Sequence, residues 1–119
     1  MYFFDTYTFF EIINANPRYQ QFTKETITTS VLNLGELYYH LIRNGNKTRA
    51  DEWFFRLHAS LIEFDAGVMC HAMAFRYLHK SKNLSVPDCV GYLIAQKHGL
   101  KFLTGDKEFQ NMPNVEFVK

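Results

Sequence analysis

A chain of 119 residues and 14.0 kDa, 47% hydrophobic and 17% aromatic, carries enough apolar side chain to build one core, which excludes intrinsic disorder and leaves no room for two ordinary domains. Residues 1–119 read as a single domain. Lys and Arg number 13 against 12 Asp and Glu, so the formal charge is +1 and any nucleic acid must meet a local patch rather than a strongly basic surface. Cys70 and Cys89 form no CxxC and stand at no ligand spacing from a His, so they read as free thiols of a reducing compartment, with no zinc site. No stretch approaches the ~20 apolar residues of a membrane span. No basic segment followed by a long apolar one marks a secretory signal. The expected setting is cytoplasmic, with no membrane partner.

Tyr2, Phe3 and Phe4 form a short aromatic run that suits a strand buried on both faces, and Asp5 closes it. From Thr6 to about Asn14 the pattern turns helical, with Phe9, Ile12 and Ile13 on one side, until Pro17 interrupts it. A short strand is expected near Thr26 to Thr29. Ser30 then suits the N-cap of a helix whose apolar stripe is Val31, Leu34, Leu37, Tyr38 and Leu41, while Asn33, Glu36 and His40 recur on another face. Asn44, Gly45 and Asn46 mark a turn, and Lys47 to His58 reads as a helix sending Trp53, Phe54 and Leu57 to the core.

Leu61 to Phe64 reads as a strand, and Asp65 as the cap of a helix over about Val68 to His79 with the stripe Cys70, Met73, Ala74, Tyr77 and Leu78. Ser85 and Asp88 have capping-box spacing ahead of a helix from about Pro87 to His98, which Gly99 ends. Lys101 to Thr104 is the next strand, Gly105 to Gln110 a turn or short helix, and Val115 to Val118 the last strand. Short strands separated by helices imply parallel pairing through right-handed crossovers, hence an α/β fold: a three-layer α/β/α sandwich with a mainly parallel central sheet.

In such sheets ligands collect beyond the carboxyl ends of the strands. Asp5 follows the first strand, Glu36 lies in the helix leaving the second, Asp88 starts the helix before the fourth, and Asp106 lies two residues beyond the fourth. Each alone has a plain structural reading: Asp5 an N-cap, Asp88 half of a capping box, Glu36 a solvated helix residue, Asp106 a turn residue after Gly105. Together on one rim they would repel, and oxygen ligands without His or Cys select hard cations such as Mg²⁺ or Mn²⁺. Glu108 stands near that rim. Cys89 adjoins Asp88 but has no His placed as its base, and reads as a packed thiol. His40 reads as a solvated helix residue on the face of Glu36, with approach to a substrate as its alternative, and Arg43, Lys47, Arg49, Lys80 and Lys82 read as solvated charges, with nucleic-acid phosphates as theirs.

The segments YFFDTYTFFEII, TTSVLNLGELYY, LSVPDCVGYLIAQKHGLKFLTGDKEF and NVEFVK resemble the PIN-domain nucleases and, within them, the VapC-type toxins of prokaryotic toxin-antitoxin pairs. The likeness covers both ends and the middle, while Lys47 to Lys80 matches mainly in length and helical character. It implies that Asp5, Glu36, Asp88 and Asp106 are the metal-binding and catalytic acids. Thr6 and Thr104 would be polar companions, and Glu108 stands where the family often has another acid. It further implies Mg²⁺- or Mn²⁺-dependent hydrolysis of RNA phosphodiesters by a bound water, on one or two ions, in a homodimer held by a small antitoxin protein. The crowding of Tyr38, Tyr39, Trp53, Phe54 and Phe55 fits a groove for such partners or, equally, an aromatic-rich core. Two other readings compete. A phosphoacceptor receiver domain also carries acids on an α/β rim, but has a paired acid after its first strand where this chain has Thr6 and Tyr7. The other is a PIN-fold protein-binding module with weak or lost catalysis.

Overall fold

The computed structural model describes residues 1–119. Three strands, β1 (Tyr2–Phe4), β2 (Lys101–Thr104) and β3 (Val115–Phe117), pair in parallel in the order β1-β2-β3, with Phe3 opposite Phe102 and Leu103 opposite Glu116. Parallel neighbours cannot be joined by a hairpin. The chain between β1 and β2 therefore runs through α1 (Thr6–Ile13), α2 (Val31–Arg43), α3 (Lys47–Leu57), α4 (Ala66–Leu78) and α5 (Val86–Lys97).

Successive strand residues point to opposite faces, so the sheet splits the core in two. Phe3 and Phe102 pack with Val68, Ala72, Val90, Tyr92 and Ile94 of α4 and α5, and with Phe109. Phe4 and Leu103 pack with Phe9, Leu34, Leu37, Leu41, Trp53 and Leu57 of α1, α2 and α3. This is the three-layer α/β/α sandwich that the alternation of short strands and helices implied. Gly91 lets α5 lie against the strands, since a Cβ there would stand 2.7 Å from the Phe3 ring.

Several expected elements differ. The strands placed near Thr26–Thr29 and Leu61–Phe64 shrink to one parallel bridge, Thr29 to Leu61. The Phe4 N–H donates to the Thr28 carbonyl at 2.8 Å, but the Phe4 carbonyl takes the Thr29 hydroxyl at 2.9 Å instead of a further backbone N–H. The chain then turns at once into α2 at Ser30, so no second rung forms. Pro17–Lys24, given no element by the sequence, is a 3-10 run capped by Asn16 that buries Tyr19 and Phe22 in the second core.

The stripe expected on α4 is turned. Val68 and Ala72 face the core, whereas Cys70, Ala74, Tyr77 and Leu78 face outward. This helix is apolar nearly all round, and its buried residues Val68 and Ala72 join the core shared with α5. Val31 and Phe54 also point out, 55% and 45% exposed, because the buried stripes of α2 and α3 are completed by Leu34, Leu37 and Leu41 and by Ala50, Trp53 and Leu57.

Candidate active site

Asp5 ends β1 and caps α1 in one step. Its backbone N–H continues the sheet by donating to the Leu103 carbonyl, and its carboxylate accepts from the Thr6 N–H at 2.9 Å. The other carboxylate oxygen accepts the Thr104 hydroxyl at 2.7 Å, from the adjacent end of β2. The Thr104 Oγ1 in turn accepts the Asp106 N–H at 3.1 Å, and Asp106 Oδ1 accepts the Glu108 N–H at 3.0 Å. Between Thr104 and Asp106 only glycine fits, because a Cβ on Gly105 would lie 2.3 Å from the Val118 carbonyl oxygen and 2.4 Å from the Tyr7 ring. Asp106 is thereby held directly against the strand end.

Asp88 sits in the first turn of α5, where its Oδ2 accepts the Ser85 N–H at 2.8 Å and its own N–H donates to the Ser85 hydroxyl at 3.2 Å. The capping box read from sequence is present. Glu36 and Glu108 are half-buried.

The charges of these acids act on one another. Asp5, 1% exposed, is held well above the usual carboxylate range by burial first, then by Asp88 and, more weakly, Glu36, against the lowering effect of its bonds from Thr104 and Thr6. Asp88 is pushed up to about 6 by burial, with Glu36 and Asp106 adding to the rise and the Ser85 bonds opposing it. None of these four acids is in an ion pair with a Lys or Arg, the ion pairs of the chain being Lys47–Asp51 and Lys97–Asp65. The structure thus brings Asp5, Glu36, Asp88 and Asp106 within electrostatic reach of one another.

No three of the acidic, His or Cys side chains stand close enough to share one ion in this arrangement. The hydrogen bonds explain why: Asp5 has both oxygens engaged, while Asp88 and Asp106 each turn one toward a helix start. The donor set itself, anionic oxygens with no protein cation among them, fits a hard divalent ion.

A residue that sequence reading left on a polar face turns out to organise the site. Asn33 is fully buried, donates to the Thr6 hydroxyl oxygen at 3.0 Å and accepts the Ser30 hydroxyl at 2.6 Å. Its signal was a lone amide among Val31, Leu32 and Leu34, one turn before Glu36. Cys89 is buried and its thiol is pushed up to about 11 by burial and by Asp88, which leaves it an inert packing residue. His40 packs edge-on against Phe10, with ring centroids 5.6 Å apart.

The profile of the PIN domain family matches residues 2–115. The chain belongs to the PIN domain family. PIN domains are nucleases, and with that membership the receiver-domain reading is set aside. No curated protein matches the chain by sequence. Solved structures share the fold of this PIN domain. The Mycobacterium tuberculosis VapC20, described as a Sarcin-Ricin loop cleaving toxin, is 21% identical over 100% of both chains with a TM-score of 0.82. A toxin-antitoxin complex from Klebsiella pneumoniae is 20% identical over 98% of this chain and 96% of the other, with a TM-score of 0.76. VapBC2 from Rickettsia felis, bound to a DNA fragment from the promoter, is 22% identical over 98% and 96%, with a TM-score of 0.72.

Proposed function

We propose that this PIN domain is a ribonuclease dependent on Mg²⁺ or Mn²⁺ and the toxin of a toxin-antitoxin pair. The observation that carries the reading is a carboxylate, Asp5, buried among other acids, none of them in an ion pair with a Lys or Arg. Such a cluster is costly unless a cation joins it. Asp5, Glu36, Asp88 and Asp106 would hold that cation. When bound, the ion supplies charge neutralisation, a water of lowered pKa and a partner for a phosphoryl oxygen.

The chain's own contribution is placement. Thr104 and the Thr6 N–H fix the plane of the Asp5 carboxylate, and Gly105 keeps Asp106 beside it. Asp88 keeps one oxygen outside its capping bonds, and Glu36 stands a turn beyond Asn33. Glu108 is a further acid at the edge. RNA as the substrate, and an antitoxin protein as the partner, are supported by what the VapC20 and Klebsiella structures are described as doing. Exposed Tyr39, Ile42, Phe54 and Phe55 on α2 and α3 offer apolar surface for the antitoxin and for a homodimer.

The test is cleavage of mixed RNA by purified protein in Mg²⁺ or Mn²⁺ against EDTA. Cleavage is expected only with the ions. Asp88→Asn keeps an acceptor for the Ser85 N–H, so it should fold yet lose about 100-fold or more in rate. Full Mg²⁺-dependent activity in that variant overturns the assignment.

A further inference from the structure

The acidic rim poses a problem for a polyanionic substrate, because RNA approaching Asp5, Glu36, Asp88 and Asp106 meets like charge in a protein whose net charge is only +1. Attraction must come from a local run of cations near the rim. One segment supplies it. From Ala66 to Pro87 there is no Asp or Glu, and the charged residues are Arg76, Lys80 and Lys82.

The fold gathers these three. Arg76, Lys80 and Lys82 line a cavity of about 290 Å³ together with Met73, Tyr77 and Leu84, and no acid borders it. Tyr77 is 68% exposed, and the Lys80 ammonium lies 4.6 Å from its ring centre, so aromatic face and positive charge form one surface. This is the aromatic residue that the sequence assigned to the core of α4 and the structure turns outward.

The cavity is tied to the acids by a covalent and a hydrogen-bonded link. The Arg76 guanidinium donates from Nε to the Leu84 carbonyl at 2.9 Å, which fixes the loop immediately before Ser85, the residue that caps α5 and holds Asp88. Arg76 also lies close enough to act on the Cys89 thiol, next to Asp88 in the chain. The basic, aromatic cavity therefore flanks the Asp88 side of the rim.

We infer that the cavity formed by Arg76, Tyr77, Lys80 and Lys82 is a subsite for single-stranded RNA, which holds the strand beside the acidic rim. A base stacks on the exposed Tyr77 ring, and the flanking phosphates meet Lys80 and Lys82, with Arg76 at the end nearest Asp88. Single-stranded nucleic acid is bound in this way, by an aromatic platform beside cations that track the backbone. The proposal rests on the ribonuclease reading but concerns binding, not the metal-dependent step.

The experiment measures fluorescence anisotropy of a labelled, uncleavable 2′-O-methyl oligoribonucleotide of mixed sequence with the full chain, over a range of salt. All the altered residues are exposed, apart from any burial of their stems, so the variants should keep the fold. Tyr77→Ala is expected to weaken binding about 5- to 100-fold, and Tyr77→Phe to leave it nearly intact, as stacking requires. Lys80→Ala with Lys82→Ala should lower the slope of log affinity against log salt by about 0.7 for each phosphate that is no longer neutralised. Lys47→Ala, whose ammonium pairs with Asp51 on α3, should leave that slope unchanged.

Wild type that cleaves RNA while Tyr77→Ala and the double Lys variant bind like it overturns the subsite and leaves the ribonuclease reading intact. Wild type that binds with these sensitivities but cleaves nothing supports the subsite and removes the hydrolytic reading. Equal loss of slope in Lys47→Ala means a diffuse field and overturns the subsite. So does self-association that Tyr77→Ala abolishes in sedimentation while oligonucleotide affinity stays unchanged, which would make this face a contact between copies. Absence of any oligonucleotide binding by wild type overturns the subsite, whereas the ribonuclease reading stands or falls by the Mg²⁺ or Mn²⁺ cleavage assay.

Discussion

A hydroxyl that accepts from a backbone N–H at a helix start must send its own proton elsewhere, and this fixes the direction of the hydrogen bonds between Ser30 and Thr6. Ser30 Oγ caps α2 by accepting the Asn33 N–H, at 3.4 Å, so its proton goes to Asn33 Oδ1 at 2.6 Å. The Asn33 amide group then faces Thr6 and donates to its hydroxyl oxygen at 3.0 Å. Thr6 begins α1 beside Asp5, so one buried amide ties the start of α2 to the start of α1, on the helix that carries Glu36. Every member of this chain is buried, where an orphaned polar group is costly. Asn33→Ala removes the amide without adding bulk and leaves the Ser30 proton without its acceptor, so denaturant unfolding should show a loss of about 1–3 kcal/mol. A loss under about 0.5 kcal/mol, the level of an ordinary surface substitution, contradicts the account.

Among the elements, two glycines separate close approach from plain flexibility. At Gly91 on α5 a Cβ would stand 2.7 Å from Phe3 and 3.1 Å from Phe102, ring atoms locked in the core, so Gly91→Ala should destabilise by about 1–3 kcal/mol. At Gly35 on α2 a Cβ meets nothing within 4 Å, so Gly35→Ala should stabilise by about 0.5–1 kcal/mol through helix propensity. Thermal melts of the two variants moving in the same direction would refute this packing of α5. The same distinction between local and tertiary causes explains what the sequence disclosed. Helix starts were legible because their signal is local: Asp5, Ser30, Asp65 and Ser85 all accept from the first turn of the helix they precede. The positions of Asp5, Asp88 and Asp106 were legible too, since each flanks a strand end or a helix start. The outward face of α4 was not, because a helix apolar on most sides takes its orientation from α5 rather than from its own period. Nor were the ends of the segments at Thr29 and Leu61, where one side-chain hydroxyl replaces a rung of the ladder. Asn33 escaped for a related reason: its partners lie on the preceding turn and on α1, and spacing along one helix does not reveal them.

At the scale of the whole molecule, the acidic rim couples folding to pH and, on the function proposed above, to metal. Asp88 is raised to about 6 in the folded chain, and Asp5 is raised as well, against an unfolded value near ~3.9. A raised folded pKa means that the folded state binds the proton more tightly than the unfolded state does. Its contribution to stability is therefore fully present below the unfolded value and is lost as pH climbs through the folded one. For Asp88 that window runs from about 4 to about 6, and above it the ionised carboxylate is a standing liability of about 1–3 kcal/mol in metal-free protein. In EDTA, Asp88→Asn should thus melt several degrees above wild type at pH 7.5, and the difference should vanish near pH 4. Adding Mn²⁺ should reverse the order, because wild type gains RT ln(1 + [L]/Kd), about 2.7 kcal/mol at a hundred times Kd, while the variant has lost a ligand and gains less. Asp106→Asn, which removes another charge from the field around Asp88, should likewise melt above wild type in EDTA at pH 7 and gain less from Mg²⁺. If thermal melts show wild type and both variants gaining equally from either ion, the four acids do not share a cation, and their crowding needs another explanation.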